Sequence, residues 1–159
     1  MGINDEGLEL IKEYEGLHRV VSDNRIAPYK CAAGYPTVGY GAIYARSGER
    51  VKMSDSPISK VEAEYLLRRD CNIAYRAVER LAAPYTEDLS ENQMAALTSL
   101  CFNIGSGNFR ASTVRANIVR GAFENAGNNL WQWRRGGPDR RILPGLVRRR
   151  AREKQLFFS

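Results

Sequence analysis

Apolar positions recur with a helical period at the start of the chain. Across Asn4–Gly16, Leu8, Ile11 and Glu15 fall at i, i+3 and i+7, so the spacing predicts an amphipathic helix with these three on one face. Asn4 suits the N-cap, Asp5 and Glu6 lie in the first turn, and Gly16 marks the stop. The pattern then shortens. Pro28–Ile43 reads as two strands about a turn at Gly34, and Arg46–Glu49 as a second turn before Arg50–Met53, together a small antiparallel sheet. On the second strand a period of two places Thr37, Gly39 and Gly41 on one face and Val38 and Tyr40 on the other. From Ser59 the helical period returns. Ser59 with Glu62 reads as a capping box opening a helix that runs to about Ala82, before Pro84 forbids continuation. Ser90 with Gln93 makes a second box, with an apolar stripe of Met94, Leu97, Cys101 and Ile104 after it. Gly105, Gly107, Gly121, Gly127 and the pair Gly136–Gly137 break the rest of the chain into shorter helices.

Two of these positions carry candidate chemistry. Glu15 is an acid on a face that should be buried, in a last turn where the helix dipole also disfavours a carboxylate; both effects favour the protonated form, which a general acid needs. The competing reading is an acid that turns outward at a frayed helix end. Thr37 supplies the one hydroxyl on a strand face otherwise made of glycine, which reads as the floor of a groove; a bulge or close chain packing explains the same pattern.

Composition narrows the class. A chain of 159 residues forms one domain able to bury about 70% of the surface its unfolded form exposes. No apolar run approaches the roughly 20 residues of a membrane span, and the acidic N-terminal helix is unlike a signal peptide, so the expectation is a cytosolic protein released by something else. Cys31, Cys71 and Cys101 are odd in number and widely spaced, which fits a reducing compartment, and the latter two fall in predicted helices as core residues. His18 is the sole histidine, so no zinc site is expected. Charge is uneven: from Arg134 to Lys154, eight Arg and one Lys face only Asp139 and Glu153, a balance of +7, while the remainder, with 15 basic and 16 acidic residues, balances at −1. Such a tail suits nucleic-acid phosphates, an anionic bacterial envelope, or a solvated helix face with Arg stems over apolar surface.

Glu15-Gly16-Leu17, then Cys31, five residues, and Thr37-Val38-Gly39-Tyr40-Gly41 resemble the active-site signature of phage-type lysozymes of glycoside hydrolase family 24. Ser59–Glu64, Asn92–Leu97, Phe102–Gly105 and Leu143–Arg150 also look like endolysin segments in the same order, so the resemblance covers nearly the whole chain. The family pattern has eight residues between the Glu and an Asp or Cys, whereas 15 separate Glu15 from Cys31, implying an insertion of about seven around residues 20–27. Asp23 is nearer the family spacing, but only Cys31 keeps the short tie to Thr37, and Cys31 is preferred. Ala42 stands where the family often has His.

The resemblance implies an α+β, mainly helical, lysozyme-like domain over 1–159. Its expected parts are an N-terminal lobe with a small sheet (1–58), a connecting helix (59–83) and a helical C-terminal lobe (84–159), around a cleft. It implies a muramidase of bacterial peptidoglycan with Glu15, Cys31 and Thr37 catalytic and Ile43, Phe102 and Ser112 contacting the glycan, without metal or cofactor. It further implies a monomer with no nucleic-acid partner, held in the host cytoplasm until a separate holin releases it. Three rival readings are a lytic transglycosylase using the same acid, a cysteine peptidase pairing Cys31 with His18, and a nucleic-acid-binding module built on the arginine tail.

Overall fold

The structure is a computed structural model describing residues 2–159. They group into two compact units, residues 15–70 in one and residues up to Tyr14 together with Cys71–Ser159 in the other.

In the smaller unit, β1 (Tyr29–Lys30) and β2 (Pro36–Thr37) pair antiparallel, with Tyr29 opposite Thr37 and Lys30 opposite Pro36. The sheet is shorter than the alternation predicts. The strand ends at Thr37, and the chain then turns tightly: Gly39 and Gly41 have φ of +65° and +100°, and Val38 and Ala42 exchange backbone hydrogen bonds of 2.9 and 3.0 Å. These are left-handed positions that side chains resist, so the glycines serve a turn and not a bare strand face. A Cβ on Gly39 would lie 3.0 Å from that of Ala63, which is the close chain packing that competes with a groove floor. The second turn forms where expected, closed by a bridge between Tyr44 and Arg50.

Residues 20–27 are more ordered than a plain surface insertion. Val20 bridges Ile26 across a turn at Ser22–Asn24, and Ile26, fully buried, exchanges two 2.8 Å backbone bonds with Ile58. The segment is a small hairpin with its own apolar anchor.

α2 runs from Lys60 to Leu81, close to the span predicted. Only half of its capping box forms: Ser59 Oγ accepts from the Glu62 amide at 3.1 Å, but the Glu62 carboxylate pairs with Arg46 at 3.0 Å, whose guanidinium lies 4.1 Å over the Tyr65 ring. Arg69 holds the second turn to this helix through the carbonyls of Ala45 and Tyr44, at 2.9 and 3.0 Å.

The larger unit is built around α3 (Glu91–Ile104), which opens with the full reciprocal Ser90–Gln93 box. Every residue from Met94 to Cys101 is buried, so the helix is enclosed on all sides and not along one stripe. Small residues make that enclosure feasible: a Cβ on Gly7 of α1 (Asp5–Glu15) would meet the Ala95 Cβ at 2.7 Å. The hydroxyls on α3 are satisfied internally, Thr98 donating to Met94 O and Ser99 to Glu153, both at 2.7 Å. The chain continues through α4 (Ser106–Ala111), α5 (Thr113–Ile118), α6 (Phe123–Asn128) and α7 (Pro144–Phe157).

Two expectations for the C-terminal segment are corrected. A β-hairpin, β3 (Arg135–Gly136) with β4 (Arg141–Ile142), interrupts the predicted run of short helices, because Gly137, Pro138 and Asp139 make a turn closed by Arg140 N to Gly137 O at 3.1 Å. The arginines are also not one solvated tail. Arg149 and Arg150 of α7 are buried at 3% and 2% exposure against Glu153 at 0%. Arg150 faces Glu153 at 2.8 Å through Nε and donates to Asn103 at 3.0 Å, while Arg149 reaches Glu153 at 3.3 Å. Burial pushes the Glu153 carboxyl up, and the two guanidiniums and the Ser99 hydroxyl oppose it. Net charge therefore overstates the positive surface.

Candidate active site

Glu15 closes α1, and Gly16 comes next in the left-handed conformation, φ +69°, that suits a residue just past a helix end. Glu15 is half-buried, less enclosed than the positions of Leu8 and Ile11 on its face suggest. Its backbone carbonyl is among those a helix end leaves without an intrahelical donor, and His18 Nε2 donates to it at 3.1 Å. The His18 ring in turn packs on Tyr29, with centroids 5.0 Å apart and planes inclined by 49°.

The β1–β2 hairpin supplies the other two candidates. Cys31 lies directly after β1, and its backbone closes the turn: Cys31 N donates to Tyr35 O at 3.0 Å and Gly34 N to Cys31 O at 2.8 Å. Its thiol is half-buried. The Tyr35 amide holds it below the usual thiol range, partial burial opposes that, and the Ala33 amide, the Thr37 hydroxyl and the Gly34 amide add to the lowering. Thr37, 2% exposed, donates to Tyr35 O at 2.9 Å, so its hydroxyl is fixed on the turn that Cys31 closes. Tyr29 joins the candidates electrostatically: burial raises its phenol first, and the negative charges of Cys31 and Glu15 raise it further.

Glu15, Cys31, Thr37 and Ile43 therefore all belong to the unit of residues 15–70, where Ile43 sits at 36% exposure. Phe102 and Ser112 belong to the other unit. Phe102 is half-buried on α3, and Ser112, 5% exposed, commits its hydroxyl to Phe109 O at 2.7 Å and to the Arg115 amide at 3.0 Å as the cap of α5. Asp23 is exposed at the tip of the 20–27 hairpin with φ +59°. Sequence reading overlooks Tyr29 and gives His18 no part beyond the peptidase rival; the strand register that sets Tyr29 against Thr37 is the available signal for the former. Among the described residues no cluster of His, Cys, Asp and Glu is placed to hold a metal ion.

A carboxylic acid at a helix end, within electrostatic reach of a hairpin that presents a half-buried thiol and a buried hydroxyl, in a mainly helical α+β fold, has the components of a lysozyme-like glycosidase. Comparison with known proteins gives the same class. A family model described as phage lysozyme matches residues 12–153. The chain is 36% identical over 161 residues to an endolysin of Acyrthosiphon pisum secondary endosymbiont phage 1, an alignment spanning 100% of this chain and 99% of that protein. It is 32% identical over 130 residues to a SAR-endolysin of Enterobacteria phage P21, across 81% of this chain and 72% of that one. The solved endolysin from Escherichia coli O157:H7 phage FAHEc1 matches with a TM-score of 0.83 at 28% identity, covering 100% of this chain and 94% of the other. The chain belongs to the phage lysozyme family. It is a muramidase, a glycoside hydrolase of the endolysin type that acts on bacterial peptidoglycan.

Proposed function

We propose that Glu15 protonates the glycosidic oxygen of the β-1,4 bond between N-acetylmuramic acid and N-acetylglucosamine, while Cys31 and Thr37 position or activate the attacking water and steady the oxocarbenium-like transition state. What supports this assignment is the hairpin geometry: the Cys31 backbone closes the turn, buried Thr37 is pinned to Tyr35 O at 2.9 Å, and Tyr29, paired with Thr37, feels the charges of both Cys31 and Glu15. Donors around the thiol favour its thiolate, and a thiolate can do what a family Asp does by charge. Ile43, Phe102 and Ser112 are the proposed glycan contacts; Ser112, with its hydroxyl already committed, is the least free of the three to serve. The test is product analysis of digested peptidoglycan. New reducing ends that take up oxygen from labelled water support hydrolysis at this site, whereas anhydro ends would replace it with a lytic transglycosylase.

The same reading has the protein act as a monomer, reside in the host cytoplasm and reach the wall through a separate holin. No helix among the described residues is long and apolar enough to cross a membrane. The similarity to a SAR-endolysin makes the point worth direct measurement. Expression with and without a holin, then fractionation, decides it: lysis without the holin overturns the holin route.

A further inference from the structure

Residues 134–141 hold four arginines on and beside a two-strand hairpin, and the structure spends little on neutralising them. Arg135, Arg140 and Arg141 are exposed. The acid in the turn, Asp139, lies 3.9 Å from Arg141 with both side chains largely in solvent, a weak pair. Arg140 is held at φ +50°, and Arg135 donates to its carbonyl at 3.3 Å, so the backbone itself keeps these like charges together. Arg149 and Arg150 are different in kind: buried on Glu153, they take no part in this surface.

Apolar groups flank the charge. Trp131, under Arg134, is 49% exposed and Ile142, in β4, is 44% exposed. The Arg134 guanidinium lies 4.4 Å over the Trp131 ring, so that face of the indole is taken and closed to a stacked base. Exposed aliphatic side chains gain nothing from a phosphate backbone, but they do gain from the boundary of lipid headgroups and acyl chains, where Trp and Arg are also at home. We propose that the hairpin at 134–142, with Trp131 beside it, docks this enzyme on the anionic phospholipid surface of a bilayer. Docking of this kind is independent of how Glu15 and Cys31 divide the chemistry, and it would concentrate the muramidase at the membrane that borders its substrate.

The test uses the full chain and sedimentation with phosphatidylcholine vesicles, with or without about one-third phosphatidylglycerol. Binding is expected to the anionic vesicles alone and should weaken as salt rises. The triple variant Arg135→Ser, Arg140→Ser, Arg141→Ser should lower partitioning on the order of a hundredfold, the same three changed to Lys should keep it, and cleavage of soluble glycan fragments should be unchanged in both. On wild-type protein, anionic vesicles should shift the tryptophan emission to the blue, and Trp131→Phe should remove most of that shift, a readout that stands even where the serine variant folds poorly. Partitioning of the folded serine variant like wild type, an unshifted emission, or tighter binding to duplex DNA than to anionic vesicles would each overturn the proposal. Fragment cleavage falling in step with vesicle binding would overturn it too, by assigning the hairpin to the glycan.

Discussion

His18 Nε2 donates to the backbone carbonyl of Glu15 at 3.1 Å while its ring leans on Tyr29, the residue paired with Thr37 across the hairpin. One imidazole thus joins the helix end that carries the acid to the strand pair that carries the thiol and hydroxyl. The bond is exposed and contributes little to stability, but a small displacement of a reacting group is costly to rate. His18→Phe, which keeps the ring contact and loses the donor, should lower kcat about tenfold with KM and melting temperature nearly unchanged. His18→Gln, which restores a donor at similar reach, should recover most of it. Wild-type kcat in His18→Phe would show that the contact does not position Glu15.

Glu15→Gln retains the shape of the acid and removes its proton. Activity should fall by about 10²–10⁴-fold, the usual contribution of general acid catalysis, with no change in the urea midpoint. Near-normal clearing of peptidoglycan by this variant would end the assignment.

The three thiols should separate in a pH series with iodoacetamide. Donors hold Cys31 below the usual thiol range, so its thiolate is present, and its alkylation fast, at lower pH than for a free cysteine. Cys101, 2% exposed, is pushed up to about 11 by burial and should remain unmodified while the protein is folded. Lytic activity should disappear in step with the Cys31 adduct, read by mass spectrometry. Cys31→Ser should be damaged more than its small volume change suggests, and Cys31→Asp should retain or regain much of the activity. Asp23→Asn, altering an exposed turn, should be silent; an inactive Asp23→Asn beside a fully active Cys31→Ser would transfer the second role to the 20–27 hairpin.

Glu153 tests the buried charges. Glu153→Leu leaves Arg150 and Arg149 facing each other without an anion, and should cost about 3–5 kcal/mol in urea unfolding. Arg152→Ala, which breaks a solvent-exposed 3.8 Å pair with Glu13, should change stability by no more than about 0.5 kcal/mol. Equal effects from the two variants would mean that the buried network is not what holds α7 to α3.

How much the sequence discloses depends on how local the determining contact is. α2 and α3 are legible because Ser59, Ser90 and Pro84 mark boundaries within a turn or so of the residues they affect. The β1–β2 hairpin is legible because Gly34 marks a short turn, whereas the pairing of Tyr29 with Thr37 across it is not read from the sequence. The Gly39–Gly41 segment is misread because a period of two is blind to positive φ, and those two glycines break the strand. β3–β4 is missed because Gly136 and Gly137 by themselves signal only an interruption, and the hairpin depends on the turn chemistry of Pro138 and Asp139 just beyond them. Charge counting fails at Arg149 and Arg150, whose burial depends on Glu153 and on α3 some fifty positions earlier in the chain, at Ser99. The part His18 plays at the Glu15 carbonyl is out of reach for a similar reason, since helix spacing describes side chains and the partner here is backbone.

The hairpin at 20–27 has the make-up of a cassette. Ile26 and its paired bonds to Ile58 fasten its base, while Ser22, Asp23 and Asn24 at the tip face solvent, the latter two already at φ +59° and +56°. Lengthening it between Asp23 and Asn24 would leave the anchor and both ends of the ladder in place. Natural variants of this enzyme that differ in loop length are therefore expected to differ at that tip, and a peptide handle for immobilising the protein can be grafted there without disturbing β1.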